Sequence, residues 1–571
     1  MSKVLLKPGK FLESQKIGEQ VVLKLDPDRL LAPFYEAVNK APKAPRYGGW
    51  EAKGISGHTL GHYLTALALM FESTGSVVAK NRAKYIVSEL KSLQDSEGYV
   101  CGFPKKEGFM GVFENPEGFT SAGFDLAGWW VPYYTLHKIF RGLIDCAEIL
   151  GDDDALTVAH NLGVWVYNTT SALNDEQRRR VLKCEYGSMN GVLSTLYRLT
   201  GDERMKKASY FFCEEELLLP LSQGEDVLSG LHANTQIPKL IGAVEMYENG
   251  GDNYLLDSAR FFYKTVTENR SYIIGGHSSA EHFTEIGTEP LTNNSCETCN
   301  SNNMLTLARK LYAGEHKKEY YDFCERVIYN HILASQDETG MKTYYVGMTP
   351  GHFKVFSTLE ESFWCCFGSG LENPFTYNRH IYYWDKALYI NLFIASVFEN
   401  EDIKVSMDAE IPESNKVKIT VIKNNGKSIF IRNPAFSQNT QIEYEGEVNR
   451  GEGYFEIIAP KEGDVIEITL DMQFTLYEKK DEKGMVGFYY GPIALCQDLG
   501  RESFPETDRV AGENDLTKYP VIEVKPLNVL EMPVKTQNPC VYRLPQNGIE
   551  LIPFYSVMHT RQRLYFKVNS L

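Results

Sequence analysis

The chain has no basic surplus. Its 571 residues carry 59 Lys and Arg against 75 Asp and Glu, a formal net charge of −16. With no excess of cations to displace counterions, a nucleic-acid backbone is a poor partner. Long apolar runs are also missing. None approaches the roughly 18 residues that a membrane-spanning helix needs, so no membrane partner is expected. The opening MSKVLLKPGKFLESQKIGEQ lacks both the continuous apolar core and the small-residue cleavage site of a signal peptide. Cysteine is sparse and odd in number, 11 in all, whereas secreted disulfide frameworks are denser and usually even. These absences predict a cytoplasmic protein whose reduced thiols are free for metal binding or catalysis. Tryptophan is scarce as well, 6 against 34 Tyr and 30 Phe. That tyrosine-rich balance suits a wet cleft that stacks sugars, and it suits β-sheet packing equally. Hydrophobic residues at 43% and charged residues at 23% describe a globular chain, too long for a single ordinary domain.

From about residue 24 to about 380 the apolar residues recur at i, i+3, i+4, i+7, as in HTLGHYLTALALMFEST and VPYYTLHKIFRGLIDCAEIL, giving about twelve helices. A weak repeat punctuates them: FESTGS, EILGDD, YRLTGDERM, YENGGDNYL and LYAGEHKKEY each end a helix at Gly and start another at a polar residue. Gly suits the left-handed C-cap, and Asp suits the next N-cap. Helix pairs in series predict either an open solenoid or a closed (α/α)6 barrel. The long, uneven, Gly-rich loops at 96–130 and 269–298 favour the barrel. From about 386 the period falls to two, with turn signals every 8–12 residues, as in an antiparallel β-sandwich.

The expected architecture is therefore multidomain α and β, an (α/α)6 barrel followed by antiparallel β-sandwich modules. Residues 1–20 are expected to supply strands to the sandwich, VLLKPGKF and QVVLKL both reading as strand-like. The barrel is expected over 21–385, a sandwich over 386–475, and a second small β domain over 476–571. The last strands, IELIPFY and RLYFKV, could return to the first sandwich.

Two cysteine clusters carry the chemistry: Cys296-Glu297-Thr298-Cys299, opening a helix, and Cys365-Cys366 in SFWCCFGSGLEN. Four thiols and a carboxylate in two short segments suggest one metal site, and thiolate with carboxylate suits zinc. A closed structural zinc, a redox pair and plain buried thiols remain alternatives at this point. The loop Tyr272–Phe283 contains Gly275-Gly276, which permits close approach of a ligand, and Glu281, a candidate general acid tuned upward by burial or a nearby charge. His58 and His62, at i and i+4, read as barrel-lining rather than a zincin pair. His137 and His232 read by default as core histidines.

The runs YGGWEAKGISGHTLGHYLTALALM, GLHANTQIPKLIGAVEMY, IIGGHSSAEHF, ETCNSNNMLTLARKLY and TYYVGMTPGHFKVFSTLEESFWCCFGSGLEN resemble the β-L-arabinofuranosidases of glycoside hydrolase families 127 and 146, with the closer likeness to the latter. The resemblance implies an (α/α)6 barrel with β-sandwich modules and a retaining exo-hydrolase that uses a zinc-bound cysteine nucleophile. It implies Cys365 as nucleophile, Glu281 as acid/base, and Glu297, Cys299, Cys365 and Cys366 as ligands of Zn2+. Glu297 would then act through the metal and not as a second nucleophile. It further implies His137, His232, Tyr345, Glu185 and Asn190 as sugar contacts. Ser188, Ser278-Ser279-Ala280 and the extra thiol Cys296 depart from the family's common pattern. The expected substrate is β-L-arabinofuranose at the end of a short oligosaccharide. The alternatives are another plant-derived furanose or a non-catalytic carbohydrate-binding protein with structural zinc. A homodimer is left open.

Overall fold

The Gly-Asp breakers do what their chemistry requires. Gly151 and Gly201 take left-handed φ of 65° and 70° at helix C-caps. The next residues, Asp152 and Asp202, accept the Ala155 and Arg204 backbone N–H groups and start new helices. A computed structural model describes residues 2–510 and 519–569. Residues 1, 511–518 and 570–571, which belong to the segments 1–20 and 476–571, lie outside the described residues.

The barrel is built from α1 (Lys10–Lys24), α2 (His58–Thr74), α3 (Val77–Leu93), α4 (Pro132–Leu150), α5 (Asp153–Thr170) and α6 (Met189–Thr200). It continues with α7 (Glu203–Phe211), α8 (Ala233–Glu248), α9 (Asn253–Asn269), α10 (Thr298–Glu315), α11 (Glu319–Val327) and α12 (Cys365–Glu372). The even-numbered helices pack neighbour to neighbour in a closed inner ring, α12 returning to α2. Helices α3, α5, α7, α9 and α11 each back onto the inner helix before them, and α1 backs onto α12. Backbones approach closely within the ring: a Cβ on Gly61 of α2 would lie 2.2 Å from the Lys138 carbonyl of α4. The result is an (α/α)6 barrel.

Helix α1 corrects one expectation. QVVLKL is helical, not a strand. Its β-branched pair looks like a strand, but Phe11, Ser14, Gln15, Gly18, Val21 and Val22 are buried at helical spacing. Strand Lys3–Leu6, by contrast, pairs antiparallel with Ser396–Glu399.

Two sheets follow. One runs, in spatial order, Lys3–Leu6, Ser396–Glu399, Ile403–Ala409, Lys416–Asn424, Val465–Thr469 and Gln441–Glu443. The other runs Val448–Arg450, Tyr454–Ile457, Ile429–Arg432, Ala387–Ile390 and Tyr382–Asp385. Alternate residues of both, including Val405, Ile419, Ile468, Ile431 and Ile390, are buried in one core. A third sheet begins at Phe474–Glu478, Met485–Tyr490 and Ile493–Asp498. The closing strands Ile549–Pro553 and Phe566–Lys567 pair within it and do not return to the sandwich. This sheet braces the loop 269–298: Tyr477 and Tyr565 donate hydrogen bonds to the carboxylate of Glu289. Among the described residues no helix is long and apolar enough to cross a membrane.

Candidate active site and metal centre

The six inner helices run in the same direction. Their last turns line a polar cavity of about 440 Å³ at one end of the barrel, with Glu72, Glu148, Arg198, Glu248, Lys310 and Glu372 on its wall. Their first turns meet at the other end, where the cysteines lie. The positive ends of α10 and α12 therefore carry the cysteines, which favours anionic groups there.

Glu297 is the N-cap residue of α10, and Cys299 lies in its first turn. Cys365 and Cys366 open α12. Their four donor atoms all lie within 4.8 Å of one another. Cys365 Sγ is 3.6 Å from Cys299 Sγ, 3.9 Å from Cys366 Sγ and 3.5 Å from Glu297 Oε1. These sulfurs are far beyond the roughly 2.05 Å of a disulfide. Cys296 and Phe363, just before the two pairs, hold φ of 54° and 53°. Positive φ in non-glycine residues is strain of the kind that collects at functional sites. Cys296 itself packs against Gly276 and stands apart from the group of four.

The four donors are not equivalent. Cys365 is 7% exposed, against 0–2% for Glu297, Cys299 and Cys366. Hydrogen bonding with the Cys299 and Cys366 sulfurs holds Cys365 well below the ordinary thiol range. Burial pushes Cys299, Cys366 and Glu297 the other way. Glu297 Oε2 is buried without a hydrogen-bond partner among the described residues. An orphaned carboxylate oxygen beside three thiols fits a cation of the zinc type.

Glu281 stands beside this cluster on a strained loop, with φ of 75°, 45° and 69° at Ser278, Ala280 and Glu281. Tyr344 Oη donates to Glu281 Oε1 and lies 3.8 Å from Cys365 Sγ. His232 Nε2 is 3.6 Å from Glu281 Oε2. The Thr235 backbone N–H donates to His232 Nδ1, so the proton of the neutral ring sits on Nε2, facing the carboxylate. Burial pushes Glu281 up, but the neighbouring His232 ring and the Tyr344 hydrogen bond outweigh it, and the carboxyl lies below its ordinary range. The expected upward tuning is therefore not what the free protein displays.

The remaining candidates are placed as follows. Glu185 is buried near His232 and Thr235, and burial raises its carboxyl. His137 lines an interior cavity of about 90 Å³ with His62, Lys138 and Glu372. Burial, with Lys138 and Arg141 nearby, keeps it neutral. Tyr345 packs against Tyr344, with ring centroids 4.6 Å apart and planes at 48°, and its backbone bridges Glu297. Asn190 is not brought to the cleft. It is fully buried, its amide donates to the Lys239 carbonyl, and it packs against Gly242 of α8. His58 and His62 pair with Glu51 and Glu372, at 3.1 and 2.5 Å.

The GH127 catalytic domain of β-L-arabinofuranosidases matches residues 3–379, and the GH127 middle domain matches residues 387–472. The chain belongs to this family. A GH127 β-L-arabinofuranosidase from Geobacillus stearothermophilus T6 shares the fold, with a TM-score of 0.73 at 16% identity over 99% of this chain and 100% of that one. A second GH127 β-arabinofuranosidase superposes with a TM-score of 0.76 at 15% identity, over 99% and 96% of the two chains. In sequence, the non-reducing end β-L-arabinofuranosidase of Bifidobacterium longum subsp. longum is 24% identical over 278 residues. That match spans 43% of this chain and 42% of the relative's length.

Within this GH127 chain, two neighbours of the site escaped the sequence reading. Tyr344, not Tyr345, joins Glu281 to Cys365. Tyr134, at the start of α4, is buried close to Cys365 and Glu185, and burial and those charges push its phenol up. The adjacent pair Tyr344-Tyr345 announced an aromatic contact but not which ring turns inward. Tyr134 had no local signal beyond its helical period.

Proposed function

We propose that this protein is a retaining exo-glycoside hydrolase that releases β-L-arabinofuranose from short oligosaccharides. Cys365 is the nucleophile and Glu281 the acid/base. The observation that carries this reading is the arrangement at Tyr344. One phenol hydroxyl touches both a carboxylate and the most exposed thiol of the cluster. Retaining glycosidases hold their two reacting groups close, typically about 5 Å apart, with no room for a water between them. The GH127 family supports the sugar class.

Glu297, Cys299, Cys365 and Cys366 would hold Zn2+, whose charge stabilises thiolates near neutral pH. Cys365 Sγ attacks the anomeric carbon while the Glu281 carboxyl gives its proton to the departing oxygen. The C–O bond breaks and a C–S bond forms. Glu281, now ionised, takes a proton from water as that water displaces the sulfur, and the original configuration returns. Tyr344 and His232 hold the carboxylate form of Glu281 that this second step needs. His137, His232, Tyr345 and Glu185 are proposed sugar contacts.

The test is release of arabinose from nitrophenyl β-L-arabinofuranoside by the zinc-loaded protein, compared across a panel of furanosides. Turnover restricted to a different furanose would reassign the sugar. Sugar binding with zinc present but no hydrolysis would favour a binding protein, since four protein donors is also the pattern of structural zinc. Full activity in Cys365→Ser would refute the cysteine mechanism.

A further inference from the structure

Residues Ser121–Trp130 form a small meander of three strands: Ser121–Ala122, Asp125–Leu126 and Trp129–Trp130. Its backbone is held at the adjacent carbonyls of Gly123 and Phe124. Glu185 N–H donates to the Gly123 carbonyl at 2.8 Å, and Val131 N–H to the Phe124 carbonyl at 3.0 Å. On this fixed backbone the Phe124 side chain is left 41% exposed. A single exposed apolar ring is ordinary on a protein surface. This one is distinguished by its neighbour: its centroid is 5.0 Å from the ring of His232, at 84°. His232 in turn faces Glu281. Phe124 therefore stands one ring outside the candidate acid/base. A second aromatic group lies on the Tyr344 side, where Trp50 is 4.9 Å from Trp130 and 6.3 Å from Tyr344.

An acid/base must reach the glycosidic oxygen, which separates the sugar being released from the residue it leaves behind. A side chain just outside that carboxyl meets the departing residue. We propose that Phe124 is the stacking platform for the leaving saccharide and so determines specificity for the leaving group. The proposal rests on the reading of Glu281 as acid/base. The ring offers an apolar face to the C–H face of a sugar. Its anchored backbone means that little order has to be imposed on binding. Phe124 meets the site through the ring of His232, and its side chain has no group to take part in bond breaking.

The experiment compares two substrates with the same β-L-arabinofuranosyl group, a disaccharide and the methyl glycoside. For Phe124→Ala, kcat/KM on the disaccharide is expected to fall by about tenfold, the size of one aromatic contact, while the methyl glycoside changes less than about twofold. Phe124→Trp should restore the disaccharide rate. An equal fall on both substrates, or no fall on the disaccharide, would overturn the proposal. If the wild-type protein cleaves neither substrate, the acid/base reading fails separately. Calorimetric affinity for the disaccharide then decides: about tenfold weaker binding by Phe124→Ala supports the platform, and unchanged binding refutes it.

Discussion

Replacing Tyr344 by Phe removes one oxygen and leaves the ring, which packs at 4.6 Å from Tyr345 and 5.7 Å from Trp364. The fold should survive. What is lost is the hydrogen bond to Glu281 and the hydroxyl contact with Cys365. A hydrogen bond to a charged group is worth about 1.5–3 kcal/mol. If that bond positions the acid/base in the transition state, kcat/KM should fall by about ten- to a hundredfold. The pH dependence gives a second, signed readout. Tyr344 lowers the Glu281 carboxyl, so its removal raises it. The first step needs that carboxyl protonated, so the high-pH limb of kcat/KM should move to higher pH. The assay is initial rates on nitrophenyl β-L-arabinofuranoside across pH, with circular dichroism to check the fold. A change below about threefold with an unmoved limb would refute the idea that this hydroxyl couples the two groups.

Cys365→Ser should lose more than about a thousandfold in turnover while keeping its circular dichroism spectrum; residual activity near wild type would remove Cys365 from the mechanism. Cys366→Ser, which removes a proposed ligand with no exposed surface, should lower the bound zinc measured by elemental analysis and the melting temperature together; unchanged zinc content would exclude Cys366 from the ligand set. Arg432 is fully buried between the barrel and the sandwich, with Nη2 2.7 Å from Glu325 Oε2 and Nε donating to the Asn391 carbonyl at 2.6 Å. Arg432→Ala leaves that carboxylate uncompensated and should cost about 3–5 kcal/mol in urea unfolding; a loss under about 1 kcal/mol would count against it. Gly61→Ala would force α2 away from the Lys138 backbone and should cost about 1–3 kcal/mol, read as a lowered melting temperature; an unchanged one would mean that the ring yields at no cost.

Local chemistry was legible in the sequence because it acts over a few residues. The Gly-Asp pairs at 151–152 and 201–202 terminate and restart helices by capping. The alternation in Ile403–Ala409, Lys416–Asn424 and Val465–Thr469 buries one face of each of these strands. The two cysteine clusters were visible as residue types rarely placed together by chance. Misreadings arose where a local pattern competed with a distant partner. QVVLKL has strand-like composition, but α1 is the outer mate of α12, and that packing holds it helical. Asn190 was expected from the family resemblance to contact the sugar, yet α8 occupies the face toward which it turns.

By itself, the sequence determined the helix-then-strand order, the (α/α)6 and β-sandwich classes, and the kinds of groups available for chemistry. Capping, periodicity and side-chain type are properties of short segments. Only the tertiary structure decided which groups act together. Closure of the inner ring carries α10 and α12, 66 residues apart at Cys299 and Cys365, into a single cluster. It also turns Tyr344 and not Tyr345 toward Glu281, separates Cys296 from its neighbours, and leaves Phe124 exposed beside His232. Those outcomes depend on how the ring brings distant helix ends and loops together, and no stretch of sequence records that point.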